Sequence, residues 1–221
     1  MSDARIFGPG DKPFFATLIG AKHGGKSEII RFVTYQYART MAYVEVISPT
    51  SLNGFYQEFL PEAHIHATYS DDIIQKILTR QETLIKAGKP CQMLLILDDI
   101  LASPDVQLQK TRASVLNTLW SANRHYGVNI LVASQKLRGL PKLCRENADF
   151  VLFTRCMRSA WIDIFTEYGN TSRDEFYKML EECTSDYKCL MFKSNVARAS
   201  DHFSCFKVPE SFLTRKFRLQ Y

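Results

Sequence analysis

Phe14-Phe15-Ala16-Thr17-Leu18-Ile19-Gly20-Ala21-Lys22-His23-Gly24-Gly25-Lys26-Ser27 decides how the rest of the chain is read. An apolar run with the length of a buried strand stops at a glycine. The eight residues from Gly20 to Ser27 then satisfy GxxxxGK[ST], and residues 27–40 carry helical patterning. Strand, glycine-rich turn and helix in that order make a phosphate-binding loop. Glycines let backbone N–H groups turn inward and approach phosphate oxygens with no Cβ in the way, at a helix N-terminus that already favours anions. Lys26 is expected to reach the β- and γ-phosphates of ATP, and Ser27 Oγ to ligate Mg²⁺. Gly20, Ala21, Gly24 and Gly25 form the cradle. Lys22 and His23, at the loop tip, either touch phosphate or face solvent.

Working outward, short apolar runs alternate with helical patterns. Strands are expected at Ala42–Ile47, Met93–Leu97, Asn129–Ala133 and Phe150–Phe153, with a short one at His64–Tyr69. Asp71 to Ala87 and Val106 to Asn123 read as helices, and a helical turn follows Leu140-Pro141. Such alternation builds right-handed βαβ crossovers and a mostly parallel sheet covered on both faces. Ser172 with Glu175 makes a capping box for a helix to about Glu182, and Cys189–Lys193 with His202–Phe206 suits a terminal hairpin. The chain reads as one α/β domain with its core at about residues 14–160. Residues 161–221 supply C-terminal helices, the hairpin and a basic tail.

Asp98-Asp99 ends the apolar strand at Met93–Leu97. That is the position from which one carboxylate can hold a Mg²⁺ shell and its neighbour can orient or deprotonate an attacking water. Asp98 is therefore the second metal candidate and Asp99 the base, although a helix-capping aspartate would look the same. Gln135 follows the strand at Asn129–Ala133, on the edge where α/β sheets bind ligands, within reach of a γ-phosphate or its attacking water. Basic residues crowd this region: Arg124, Lys136, Arg138, Lys142, Arg145, Arg155 and Arg158. Any of them could bind a nucleic-acid backbone or stabilise the charge of a transferring phosphoryl group.

The overall balance excludes an acidic disordered chain. Twenty-eight Lys and Arg face 23 Asp and Glu across 221 residues, of which 46% are hydrophobic. Residues 112–158 sum to +6 and 193–221 to +4, with 159–192 at −4 between them. A localised basic face suits a phosphate-rich partner. Six cysteines lie scattered with no CxxC pair, and the opening MSDARIF has no basic-then-apolar signal, so a reducing, intracellular setting is expected. Met93–Leu97 falls far short of the ~20 apolar residues that cross a bilayer, and no membrane partner is expected. Cys183, Cys189, His202 and Cys205 have zinc-ligand chemistry at a non-standard spacing, and buried thiols explain them as well. Trp120 and Trp161 read as core or interface anchors. His64 and His66 alternate along the short strand without an obvious third partner.

The loop, the Asp98-Asp99 strand, and above all Asn123-Arg124-His125-Tyr126-Gly127-Val128-Asn129-Ile130-Leu131-Val132-Ala133-Ser134-Gln135 with Leu140-Pro141 and Arg145-Glu146-Asn147-Ala148-Asp149 resemble the FtsK/HerA-type genome-packaging ATPases of large DNA viruses, including the poxvirus-like branch. The resemblance covers residues 14 to 160. It implies a P-loop NTPase fold of the ASCE, RecA/FtsK-like class, with the Gln135 strand between the phosphate-loop strand and the Asp98 strand. It further implies a homo-oligomeric ring, pentamer or hexamer, that pumps double-stranded DNA without sequence preference into a preformed capsid. A capsid or portal-vertex protein would be its partner. Work would take place at intracellular sites of viral assembly, with the protein in some cases retained in the virion. Arg124 matches a family arginine proposed to act on nucleotide, and Arg155 is the second choice. Asp99 stands where many relatives carry glutamate, a shorter reach for the base. Two other readings remain open at this point. One is a P-loop nucleoside or nucleotide kinase, which needs neither ring nor DNA; the other is a non-hydrolysing nucleotide-dependent assembly protein.

Overall fold

The computed structural model describes residues 5–8, 10–100 and 114–221. Among the described residues eight strands form one sheet: β1 (Phe15–Ile19), β2 (Tyr43–Ile47), β3 (Ile65–His66), β4 (Met93–Asp98), β5 (Val128–Ser134), β6 (Phe150–Phe153), β7 (Lys188–Lys193) and β8 (Phe203–Lys207). Their order across the sheet is β3-β2-β4-β5-β1-β6-β7-β8. The pairs from β3 through β6 are parallel, and β7 and β8 are antiparallel. The chain thus has the expected P-loop ATPase fold: β5 lies between β1 and β4, and the terminal hairpin forms one edge.

Strand alternation sends side chains to two separate cores. Phe15, Leu95, Ile130 and Val151 face a layer built from α2 (Asp71–Lys86), α3 (Val115–Ala122), α4 (Lys142–Asn147), α5 (Arg158–Tyr168) and α6 (Arg173–Cys183). Trp120 and Trp161 are buried here, Trp120 stacked on Phe15 at 5.4 Å between centroids. Ala16, Leu18, Leu94 and Leu131 face α1 (Lys26–Tyr37), the turns at residues 51–60 and α7 (Glu210–Leu213). Every residue of β1 is buried, as a central parallel strand requires.

Local signals set the helix ends. Ser70 and Ser114 cap α2 and α3, each accepting a backbone N–H from three residues on, and Ser172 with Glu175 completes the capping box of α6. Hydroxyls of Thr171 and Ser172 hold the Glu175 carboxyl below its ordinary range. Of the helix expected at Val106–Asn123, residues 115–122 are helical and residues 106–113 lie outside the described residues. The short strand expected at His64–Tyr69 is two residues long, Ile65–His66, because its partner β2 ends at Ile47, opposite His66. The basic tail packs on α1: Arg31 donates to the carbonyls of Leu213 and Arg215, Phe217 packs on Tyr35 and Phe59, and Leu219 N–H bonds to Phe59.

Candidate active site

The phosphate loop joins β1 to α1 at the carboxyl rim of the sheet, where parallel strands end and crossovers leave a crevice. Two contacts to neighbouring strands pin it. Gly20 N–H donates to Ser134 O at the end of β5 (3.1 Å), and Ala21 N–H to Arg155 O beyond β6 (2.9 Å). A Cβ on Gly20 would stand 1.8 Å from Thr154 Oγ1, so that position requires glycine. Gly25 has φ 92°, a left-handed turn that delivers the chain into α1. Lys26 Nζ donates to Gly20 O (2.8 Å) and Ala21 O (3.1 Å), which centres the ammonium beneath the loop. Ser27 is in the first turn of α1, and His23 at the tip has φ 59°.

Two strands away, Asp98 ends β4 and is mostly buried. Its Oδ2 accepts from Tyr56 Oη at 2.8 Å and Ser48 Oγ at 3.4 Å. Burial lifts the carboxyl above its ordinary range; the Tyr56 hydrogen bond opposes this, Asp99 adds to it and Lys26 opposes it again. Tyr56 responds in kind, its phenol pushed well above its usual range by burial and then by Asp98. Asp99 turns the chain out of β4 with φ 53°, a conformation disfavoured for a residue with a Cβ, held by its N–H to Ala133 O at 3.1 Å. That turn aims its carboxylate at Gln135, whose Nε2 donates to Asp99 Oδ2 at 3.0 Å. The sheet order therefore brings the loop, Asp98, Asp99 and Gln135 to one rim, with Asp99 and Gln135 in contact.

The two arginines lie apart. Arg155 Nη2 donates to His23 O (3.1 Å), beside its own phosphate loop. Arg124 precedes β5 at the opposite rim and pairs with Asp149, whose other oxygen accepts Phe15 N–H (2.9 Å). Seven residues of β5 separate it from Gln135 by roughly 20 Å at ~3.3 Å per residue, beyond the reach of its side chain.

The zinc candidates do not converge. Cys183 and Cys205 interact, with Cys189 nearby, but His202 Nδ1 lies 2.7 Å from Lys193 O and its ring stacks on Phe192. Among the described residues no group of three or more His, Cys, Asp or Glu could hold a metal. His64 and His66 do have a shared partner, Glu45 on β2, at 3.4 and 2.9 Å. Tyr56 and Ser48 are the residues that sequence reasoning missed. Their meeting with Asp98 joins positions 42 and 50 residues apart, and no local pattern signals it.

The poxvirus A32 protein family model matches residues 10–212. The chain belongs to that family. Among its relatives, an uncharacterized protein of Acanthamoeba polyphaga mimivirus is 27% identical over 223 residues, covering 91% of this chain and 76% of its own length. Another, from Invertebrate iridescent virus 3, is 28% identical over 200 residues, with 87% and 74% covered. In fold, the chain is similar to the genome packaging NTPase B204 of Sulfolobus turreted icosahedral virus 2 in complex with ATP-gammaS. The TM-score is 0.62 at 18% identity, with 88% of this chain and 97% of that one covered. The pCW3 conjugation coupling protein TcpA has the same architecture, with TM-score 0.61 at 14% identity and 92% and 65% covered. Among the described residues no helix is long and apolar enough to cross a membrane.

Proposed function

We propose that this A32-family chain is a genome-packaging ATPase: a Mg²⁺-dependent motor that hydrolyses ATP to move double-stranded DNA into a preformed capsid. The observation that carries the reading is the meeting of phosphate loop, Asp98 and the Asp99–Gln135 pair on adjacent strand ends of one rim. Family membership and the likeness to B204 support the packaging role. Ser27 and Asp98 are hard oxygen donors flanking the phosphate loop, the ligand class that Mg²⁺ prefers, and they would hold the ion; bound there, it would neutralise charge on the β- and γ-phosphates.

The protein's own groups do the rest. Backbone N–H groups of Gly25 and Lys26 grip phosphate, while the Gly24 N–H closes the loop on Ala21 O (3.0 Å), and the Lys26 ammonium counters the phosphate charge. Asp99, oriented by Gln135, positions the attacking water and accepts its proton. Arg124, out of reach of its own site, serves the nucleotide of the next subunit, which makes a closed homo-oligomeric ring, pentamer or hexamer, the active form. Basic segments on the subunits hold the phosphate backbone of DNA without reading bases, and a capsid or portal-vertex protein anchors the ring at intracellular assembly sites.

Steady-state ATP hydrolysis across protein concentration, with and without double-stranded DNA, tests this. Turnover should rise cooperatively with concentration and with DNA, and be lost in Lys26→Ala and Asp99→Ala. Turnover indifferent to concentration and DNA would refute the motor and favour a kinase.

A further inference from the structure

A cleft of about 340 Å³ opens on the side of the phosphate loop away from Asp98, and its far wall has no part in phosphate binding. Its walls are His23, Gly24, Gly25 and Arg155 on one side and the loop Thr184–Tyr187, between α6 and β7, on the other. The triphosphate's position fixes what such a cleft receives. Its γ end must face Asp98, Asp99 and Gln135, which lie on β4 and β5, on one side of β1. The nucleoside must then leave past the N-terminus of α1 toward the other side, where β6 and β7 stand.

The chain has built an unusual turn there. Asp186 (φ 50°) and Tyr187 (φ 58°) are consecutive non-glycine residues in the left-handed region. Such backbone costs free energy that the surroundings must offset, here the Lys188 N–H to Ser185 O bond (2.9 Å) and the pairing of Lys188 with Lys207 on β8. What the turn achieves is to hold a large aromatic ring in the open: Tyr187 is 55% exposed, yet its Cδ1 comes within 3.7 Å of where a Cβ on Gly25 would stand.

We propose that Thr184–Tyr187 forms the nucleoside subsite, with the Tyr187 ring as the platform on which the purine base stacks and Asp186 as the acceptor for ribose hydroxyls. The assignment rests on the ATP reading of the phosphate loop. Stacking on one aromatic face recognises a base by its π surface and so needs no dedicated hydrogen-bond readers.

Calorimetric binding of ATP and of inorganic triphosphate, to the full chain and to Tyr187→Ala, Tyr187→Phe and Lys26→Ala, separates the two readings. Loss of a stacking platform should weaken ATP by at least about tenfold in Tyr187→Ala and leave triphosphate unchanged, while Tyr187→Phe keeps near-native ATP affinity. Lys26→Ala should weaken both ligands. Equal weakening of ATP and triphosphate in Tyr187→Ala would overturn the subsite, because the loop would then merely brace the phosphate loop. Unchanged ATP affinity would overturn it too. Failure of the unaltered chain to bind either ligand would overturn both this proposal and the ATP reading beneath it.

Discussion

The two rims of the sheet treat their polar groups in opposite ways. At the amino rim, buried polar side chains are saturated. Asn129 accepts from Phe14 N–H (2.9 Å) and donates to Met93 O (3.1 Å) and Gln92 (3.0 Å); Gln81 donates to Cys91 O and Tyr126 O; Asn123 donates to Val128 O. At the carboxyl rim, Asp98 carries a carboxylate that burial disfavours, and His23 and Asp99 occupy left-handed backbone. One rim ties the strands together, and the other stores strain and charge where a phosphate ligand would use them. Stability and chemistry are thus separated along the strand axis, and three substitutions can break or sharpen that separation.

The largest effect is expected where the separation should fail, at Arg124, an amino-rim residue proposed to serve a carboxyl-rim site in the next subunit. Arg124→Ala should lower turnover of the assembled protein by about 10³-fold, the lower end of an arginine finger's contribution. Stability should change by less than about 1 kcal/mol, because the pair with Asp149 is largely exposed on the arginine side. Mixing Arg124→Ala with Lys26→Ala decides the route. Mixed rings contain sites with an intact phosphate loop next to an intact Arg124, so activity should reappear on mixing two inactive proteins. Absence of recovery in rings shown to be mixed would confine Arg124 to bracing Asp149 within its own subunit.

Next is Asn129, whose removal leaves Phe14 N–H without its buried acceptor at the entry to β1. Asn129→Ala should cost roughly 2–4 kcal/mol in denaturant unfolding while turnover per folded molecule stays near native. A variant that folds stably but turns over slowly would show that the amino rim also tunes the chemistry.

What was legible in the sequence follows the same division. The phosphate loop declares itself because the glycines and Lys26 act within eight consecutive residues, and β4 and β5 because a fully buried strand leaves an unbroken apolar run. The order β4-β5-β1 needed the family resemblance, since no local pattern orders parallel strands. The bounds of the helix at Arg158–Tyr168 carry little local signal, because Trp161, Ile164 and Tyr168 bury only a narrow stripe of it. The tail's packing through Arg31, the grip of Tyr56 on Asp98 and the left-handed turns at Asp99 and Tyr187 arise from contacts between distant segments, which composition and spacing do not encode. Glu45 between His64 and His66 is the same case: the alternation was visible, but its partner lies on another strand.

Asp98→Asn should change stability less than Asn129→Ala does, and its sign is the informative part. A carboxyl whose folded-state pKa is raised binds more protons in the folded than in the unfolded protein. Its burden is therefore absent below the ordinary carboxylate range and grows as pH rises through the raised value. The amide keeps an acceptor for Tyr56 Oη and removes the buried charge. In Mg²⁺-free buffer near neutral pH the variant should be more stable than the native chain by about 1 kcal/mol, a typical gain where a functional group is relinquished. The advantage should shrink as pH is lowered, and it should come with loss of ATP turnover. Thermal unfolding at several pH values reads it directly. A less stable variant at every pH would mean that Asp98 is held as a structural acceptor for Tyr56 and Ser48, and the carboxyl rim would then be stitched like the amino one.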